Sequence, residues 1–322
     1  MKKLGYAALI VAALAVAVFF LVLQRWSGSG PLQRATTVQI APGTSMSGAA
    51  SALEKAGAIS SAGAFKLFAR LFGGNTGIKA GEYSIPAHVS QADILKLLQG
   101  GRTLQRFVTI PEGWPSVMVQ DAVMNATGMT GTIDAPAEGS ILPDSYSFQR
   151  GEARPAIVAR MQRAMSDYLA AAWEKRKPGI AVATPREALI LASIVEKETG
   201  KEAERRTVAA VYSNRLKRGM PLQADPTVIY PVTKGRPLGR RILRSELQAD
   251  NGYNTYAKTG LPIGPIANPG RASIDAVLDP AASSALYFVA DGTGGHVFAD
   301  TLEQHNANVQ KWYAIRRARG EM

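Results

Sequence analysis

Between Leu4 and Leu23 the chain runs for 20 residues without a charged side chain, through Ala-Leu-Ile-Val-Ala-Ala-Leu and Val-Phe-Phe-Leu-Val-Leu. A helix of about 20 residues spans the ~30 Å hydrocarbon core of a bilayer, and a helix satisfies its own backbone there. The run therefore predicts one transmembrane helix over 4–23. A cleavable signal peptide is the competing reading, disfavoured by the length of the run and by the lack of a clean small-x-small cleavage site behind it. Lys2, Lys3 and the amino terminus precede the run, and Arg25 and Arg34 follow it. The charge rule then points residues 1–3 to the cytoplasm and the rest of the chain to the periplasmic side of an inner membrane. Trp26 is expected at the membrane interface, and 24–37, with Ser27 to Pro31, as a flexible exit linker.

From Arg25 onward there are 35 Lys and Arg against 25 Asp and Glu, a formal +10 of the chain's +12. That excess predicts an anionic partner or surface. Nucleic acid is a poor fit, because no nucleic-acid motif or dense basic run with interleaved aromatics occurs and the basic part lies across the membrane. The chain has no cysteine, so disulfides and thiolate chemistry are ruled out; His88, His296 and His305 are too few and scattered for a His-rich metal site. No metal and no cofactor is expected.

A length of 322 residues accommodates two soluble domains behind an anchor. The patterning predicts an α+β fold: the transmembrane helix, a small β-α-α-β domain over 38–105, and a larger mixed α+β domain over 106–322. In the small domain Val38 to Ile40 reads as a strand. Thr44 and Ser45 cap a helix through Leu53, Phe65, Phe68 and Phe72 mark a second, Gly81 to Ile85 forms a strand, and Ser90-x-x-Asp93 opens a helix ending at Gly100-Gly101. This order resembles the glycan-binding LysM unit with a helix appended; a plain α+β spacer is the alternative. In the larger domain a strand is expected over 106–110 and a Pro-Asp turn at 143–144. Helices are expected from Pro115, over 155–173, from Thr184 and over 202–217. Irregular backbone follows from Gln223 to Gly270, then a hairpin across Asp291 to Gly295 and a C-terminal helix capped by Thr301.

The stretch Thr184 to Gly200 is the most constrained of these. Thr184 caps it, Pro185 suits the first helical position, and Glu187 completes a Thr-x-x-Glu capping box. From Ala188 to Val195 only Ser193 is polar, so the helix belongs in a core. Glu196 arrives near its negative end, with Leu189, Ala192, Ser193, Thr199 and Gly200 along its face and no cation among them. Low dielectric and the helix end both push a carboxyl pKa upward, as a general acid near neutral pH requires. The alternative is that Glu196, Lys197 and Glu198 form a solvated last turn.

Side chains suited to sugars follow: Gln223, Asp225, Thr227 and Tyr230, then Tyr253-Asn254-Thr255-Tyr256, then the Pro/Gly run from Gly260 to Ile266. Amides and hydroxyls match sugar hydroxyl and N-acetyl groups, and tyrosines offer a ring face with a polar tip. Each of these residues has a competing role as a turn former.

Leu191-Ala-Ser-Ile-Val-Glu-Lys-Glu-Thr199, Leu222-Gln-Ala-Asp-Pro-Thr-Val-Ile-Tyr230, Tyr253-Asn-Thr-Tyr256, Gly260-Leu-Pro-x-Gly-Pro-Ile266, Asn268-Pro-Gly270 and Tyr287-Phe-Val-Ala-Asp-Gly292 together resemble the endolytic murein transglycosylase (YceG-like) family. The likeness extends to Leu142-Pro-Asp-Ser-Tyr146 and the small domain, with Ile263 and Ser140-Ile141 as departures of conserved role. It implies cleavage of the β-1,4 bond between N-acetylmuramic acid and N-acetylglucosamine in nascent glycan strands. The product then ends in a 1,6-anhydro sugar, and strand elongation stops. Mapped by motif, Glu196 is the single acid, then base; Gln223, Asp225, Thr227, Tyr230, Asn254 and Tyr256 are the substrate-binding candidates. Glu198, about 200° away around the helix, is not its partner. Expected partners are peptidoglycan strands and the penicillin-binding synthases that make them. A non-catalytic, membrane-tethered glycan-binding scaffold is the rival function, and a hydrolase leaving reducing ends is the third.

Overall fold

The computed structural model describes residues 2–74 and 76–321, with side chains from residue 9 onward. The cytoplasmic end expected at 1–3, with the charges of Lys2 and Lys3, lies outside the described side chains. Helix α1 (Lys2–Ser27) is long and apolar enough to cross a membrane from Leu9 on, and its large side chains from Leu9 to Leu21 are exposed. Two units divide the chain, one of residues 1–106 with 147–151, the other of 107–146 with 152–322.

In the first unit, strand β1 (Thr36–Ile40) is followed by helices α2 (Met46–Lys55) and α3 (Ala62–Phe72), strand β2 (Gly81–Ile85) and helix α4 (Gln91–Gly100). β1 and β2 pair antiparallel from Thr36 opposite Ile85 to Ile40 opposite Gly81. The predicted caps Ser45 and Ser90, and Ser61, which was not predicted, accept from the N–H groups of Gly48, Asp93 and Ala64, satisfying donors that a helix start leaves free. Gly101 closes α4 at φ 70°, a left-handed conformation suited to glycine. Trp26 is only 7 % exposed, packed into the core of this unit, and residues 28–32 are not the flexible linker expected. The exit segment is tied down, with Gly30 N–H donating to His88 O at 3.1 Å and His88 N–H to Leu32 O at 2.9 Å.

The second unit contains strand β3 (Arg106–Ile110), helix α5 (Ser116–Asn125), strand β4 (Asp144–Phe148), and helices α6 (Arg154–Glu174), α7 (Pro185–Glu198) and α8 (Glu202–Lys217). Helices α9 (Asp225–Thr233), α10 (Arg244–Leu247) and α11 (Arg271–Leu278), strands β5 (Tyr287–Ala290) and β6 (His296–Ala299), and helix α12 (Leu302–Ala318) follow. β4 pairs with β3 where the sequence suggested only a turn, and the division between units falls within both strands. α7 is buried from Ile190 to Val195, enclosed by apolar side chains of α6, α8 and α11. α8 ends in a Schellman motif: Gly219 at φ 65°, its N–H on Leu216 O, and Met220 N–H on Arg215 O. α9, unexpected inside the irregular stretch, carries Pro231 in its interior. Thr227 and Thr255 hold it, sharing a hydroxyl contact of 2.9 Å, and tertiary bonding thus overrides a poor helical propensity.

One buried side chain organises the loops around α7. Asn268 Nδ2 donates to Trp114 O (2.9 Å) and Ser116 Oγ (3.1 Å), and its Oδ1 accepts from Ile141 N–H (2.9 Å). Replacing it by alanine leaves the buried Ile141 N–H unpaired, at ~1–3 kcal/mol, and removes the ties to Trp114 and Ser116. Asn268→Ala is expected to lose about 3 kcal/mol or more in chemical denaturation while α1 and the first unit retain their helical signal.

Candidate active site

Helix α7 sets the position of two carboxyl groups. Its start is pinned by Thr184 Oγ1, which accepts from Glu187 N–H at 3.1 Å. The return bond of the expected capping box is shifted by one residue, since Glu187 Oε2 accepts from Ala183 N–H at 2.6 Å. Ser193, the one polar residue of the apolar run, donates to Ile190 O (2.7 Å) and accepts from Ile266 N–H (3.1 Å), so its burial leaves nothing unpaired. The same bond fastens the Gly260–Ile266 loop to the helix.

At the far end the two glutamates part company. Glu196 is half-buried, and its Oε2 accepts from Gly270 N–H, the residue that opens α11, at 2.8 Å. It lies against Gly113, whose φ of 72° leaves no room for a Cβ without a 3.3 Å approach to Glu196 Cγ. Glu112 stands beside it: burial, then the Glu196 charge, raise the Glu112 carboxyl, while Arg205 and Arg271 oppose the rise. Glu198 instead projects into a cavity of about 320 Å³ lined by Tyr212, Arg215, Leu222, Gln223, Asp225, Tyr256, Phe288 and His305. The residue keeps partial exposure through the cavity, whereas its carboxyl group is enclosed by protein. Burial pushes this carboxyl up to about 7, and the Asp225 charge adds to the rise; a hydrogen bond from Tyr212 and the charge of Arg215 restrain it.

The cavity wall is built from four segments. Tyr212 and Arg215 stand three residues apart on α8, on one face. Arg215 is spent on carbonyls, donating from Nε to Leu286 O (2.7 Å) and from Nη1 to Leu222 O (2.8 Å), so its charge is held in place without a carboxylate partner. Gln223 has φ 53°, left-handed backbone that is uncommon outside glycine, and this conformation turns its side chain into the cavity. Tyr256 donates from its hydroxyl to Asp225 Oδ1 at 2.6 Å, fixing that carboxylate. From α12 comes His305, whose imidazole is lowered by burial and then by the Arg215 charge, and is therefore neutral at pH 7.

Of the six expected binding residues, Gln223, Asp225 and Tyr256 are brought together with Glu198. Thr227 is buried below them, its Oγ1 donating to Ala224 O at 2.7 Å. Asn254 is also buried; its amide donates to Leu247 O (3.0 Å) and Ala249 O (2.8 Å), and its Oδ1 accepts from Tyr256 N–H (2.9 Å). Tyr230 faces elsewhere, with its ring 4.8 Å from that of Tyr253 and its hydroxyl on Glu138. Glu196 does not line the cavity. The sequence reading passed over Glu198, Tyr212, Arg215 and His305. Leu191, Ile194 and Val195, seven, four and three residues before Glu198, are all fully buried, but so are Ala192 and Ser193 before Glu196, and the pattern admits either glutamate.

A carboxyl raised to about 7 beside a fixed carboxylate, an amide and two tyrosines has the chemistry that a general acid/base could use, on an α+β scaffold. The chain belongs to the YceG-like family, which it matches over residues 38–311. It is 31 % identical to a Bacillus subtilis protein named endolytic murein transglycosylase, over 87 % of this chain and 85 % of the relative. A Streptococcus pneumoniae protein of the same name is 30 % identical over 85 % of this chain, which spans 57 % of that longer relative. The crystal structure of a yceG-like protein from Listeria monocytogenes superposes with a TM-score of 0.52 at 29 % identity, covering 85 % of this chain and 99 % of that one.

The raised carboxyl has a thermodynamic signature. With a folded value of about 7 against 4.5 unperturbed, the folded protein binds more protons than the unfolded chain across that window. Stability is therefore lost as pH rises from 4.5 to about 7. Glu198→Gln, uncharged throughout, removes this term. Its stability relative to the parent is expected to improve by roughly 3 kcal/mol between pH ~4 and pH ~8, read from denaturant unfolding at each pH.

Proposed function

We propose that this protein is a membrane-anchored lytic transglycosylase of peptidoglycan and that Glu198, rather than Glu196, is its acid and base. The observation that carries the reading is the Glu198 carboxyl, raised to about 7 in the cavity it shares with Gln223, Asp225 and Tyr256. The names of the curated relatives supply the substrate. Glu198 protonates the oxygen linking N-acetylmuramic acid C1 to N-acetylglucosamine C4, and that C1–O bond breaks. Positive charge then develops at C1. The Asp225 carboxylate, fixed by Tyr256, stabilises it electrostatically. The Glu198 carboxylate next removes the proton of the C6 hydroxyl as O6 bonds to C1, closing the anhydro ring and restoring the acid. No water enters, so one acid/base carboxyl suffices where ordinary glycosidases manage water or a nucleophile with a second.

Glu196 belongs to the support of the site. Its bond to Gly270 N–H fixes the end of α7 against the start of α11, and thereby the direction of Glu198. The first unit's β-α-α-β order favours a LysM-like glycan hold, and α1 a single-pass anchor in the inner membrane with the remainder periplasmic. An anchored enzyme of this kind meets strands as penicillin-binding synthases extrude them, and cutting them there ends elongation.

Incubation of the full chain with glycan strands, followed by mass analysis, separates the readings. Products lighter by one water than hydrolytic ones are expected. Glu198→Gln is expected to reduce turnover by at least ~10³-fold while still binding strands, and Glu196→Gln by a much smaller factor. The reverse ranking would return the acid to Glu196, and unchanged strands with the parent protein would favour the scaffold. Above pH ~7, kcat/KM is expected to fall as Glu198 ionises.

A further inference from the structure

Helix α3 presents two unlike faces. Phe65, Phe68 and Phe72 point inward, and the indole of Trp26, in the last turn of α1, lies 6.0, 6.0 and 6.1 Å from their rings. Three rings spread over two helical turns touch one indole, so α3 stays beside the end of α1 along its length. An adjoining face carries Leu67 and Leu71, exposed by 55 % and 62 %, with Phe72 exposed by 39 % at its edge. Lys66 and Arg70 flank these leucines, and each pair repeats at i, i+4. Beyond α1, the exposed large hydrophobic side chains described in the first unit are these three and Leu104.

The depth of this face follows from α1. The apolar run ends at Leu23, and Trp26 lies three residues on, ~4.5 Å along a helix. A helix packed on that indole falls in the ~5–10 Å boundary layer where amphipathic helices settle on membranes. Leucines flanked by lysine and arginine suit it, the apolar side chains entering the acyl boundary and the cations meeting lipid phosphates.

We propose that α3 is an interfacial helix: Leu67, Leu71 and the edge of Phe72 insert into the surface of the bilayer that α1 spans, and Lys66 and Arg70 bind its anionic headgroups. This rests on α1 being a membrane anchor. The first unit is then fixed against the bilayer at two places, α1 and α3, and cannot swing freely about residues 27–35.

The chain has no native cysteine, so single sites can be labelled. The full chain, with an environment-sensitive fluorophore at Leu71→Cys, Leu67→Cys or Phe20→Cys in turn, is placed in nanodiscs of phosphatidylcholine and phosphatidylglycerol. Spin-labelled lipids with nitroxides near the headgroup or deep in the chain then quench it. Labels at 67 and 71 are expected to shift to the blue and to be quenched by the shallow nitroxide; the label at 20 by the deep one. Quenching at 20 with none at 67 and 71 overturns the proposal and leaves the anchor intact. No quenching at 20 removes the anchor itself, and the proposal with it. Raising the phosphatidylglycerol fraction is expected to increase quenching at 71. The joint substitution Lys66→Gln, Arg70→Gln is expected to abolish that increase, and an increase that persists overturns the headgroup contact.

Discussion

A helix without a polar face has to be covered on every side, and α7 imposes this requirement on the second unit. α6, α8 and α11 pack their apolar side chains against it, and loops close the remaining gaps. Enclosure of the helix brings its last turn, and whatever charge that turn carries, under the same cover. The site is thus a by-product of core packing at one end of a helix, with α8 adding Tyr212 and Arg215 because it packs alongside.

The two glutamates show how far sequence carried the argument. Caps, apolar run and termination of α7 were legible, because Thr184, Pro185 and the aliphatic residues act through local geometry. The criterion used for the acid was a carboxylate on an apolar face. It does not separate the two: Glu198 continues the row of Leu191, Ile194 and Val195, and Glu196 that of the equally buried Ala192 and Ser193, with the half-buried Leu189 a turn further back. Sequence could not show that Gly270 N–H comes to Glu196, or that Tyr212 and Asp225 come to Glu198, since those approaches depend on the packing of distant segments.

The residues chosen for their likeness to sugar ligands divided for a related reason. Amides and hydroxyls that suit a glycan suit a buried backbone equally well. Asn254 spends its amide on three carbonyls, and Thr227 spends its hydroxyl within the fold, so neither retains capacity for a ligand. They hold Tyr256 and the start of α9, and through these Asp225. α9 itself escaped prediction because Pro231 and β-branched residues argue against a helix, while its supporting threonines lie 28 positions apart.

Keeping Glu198 protonated opposes stability, and the arrangement around it limits the cost without cancelling it. Arg215 is near enough to temper the rise, but its guanidinium is committed to the carbonyls of Leu222 and Leu286 and does not form an ion pair with Glu198. A direct pair would hold the carboxyl ionised, stabilising the fold and removing the acid. Asp225 works in the opposite sense, raising Glu198 while its own position is fixed by Tyr256. In the proposed acid-then-base cycle the same carboxylate would serve both stages: it favours the proton on Glu198 before cleavage and would balance the charge at C1 afterwards. An amide at position 225 would retain the bond to Tyr256 but surrender both effects, so the negative charge there, more than the hydrogen bond, is what the proposed chemistry requires.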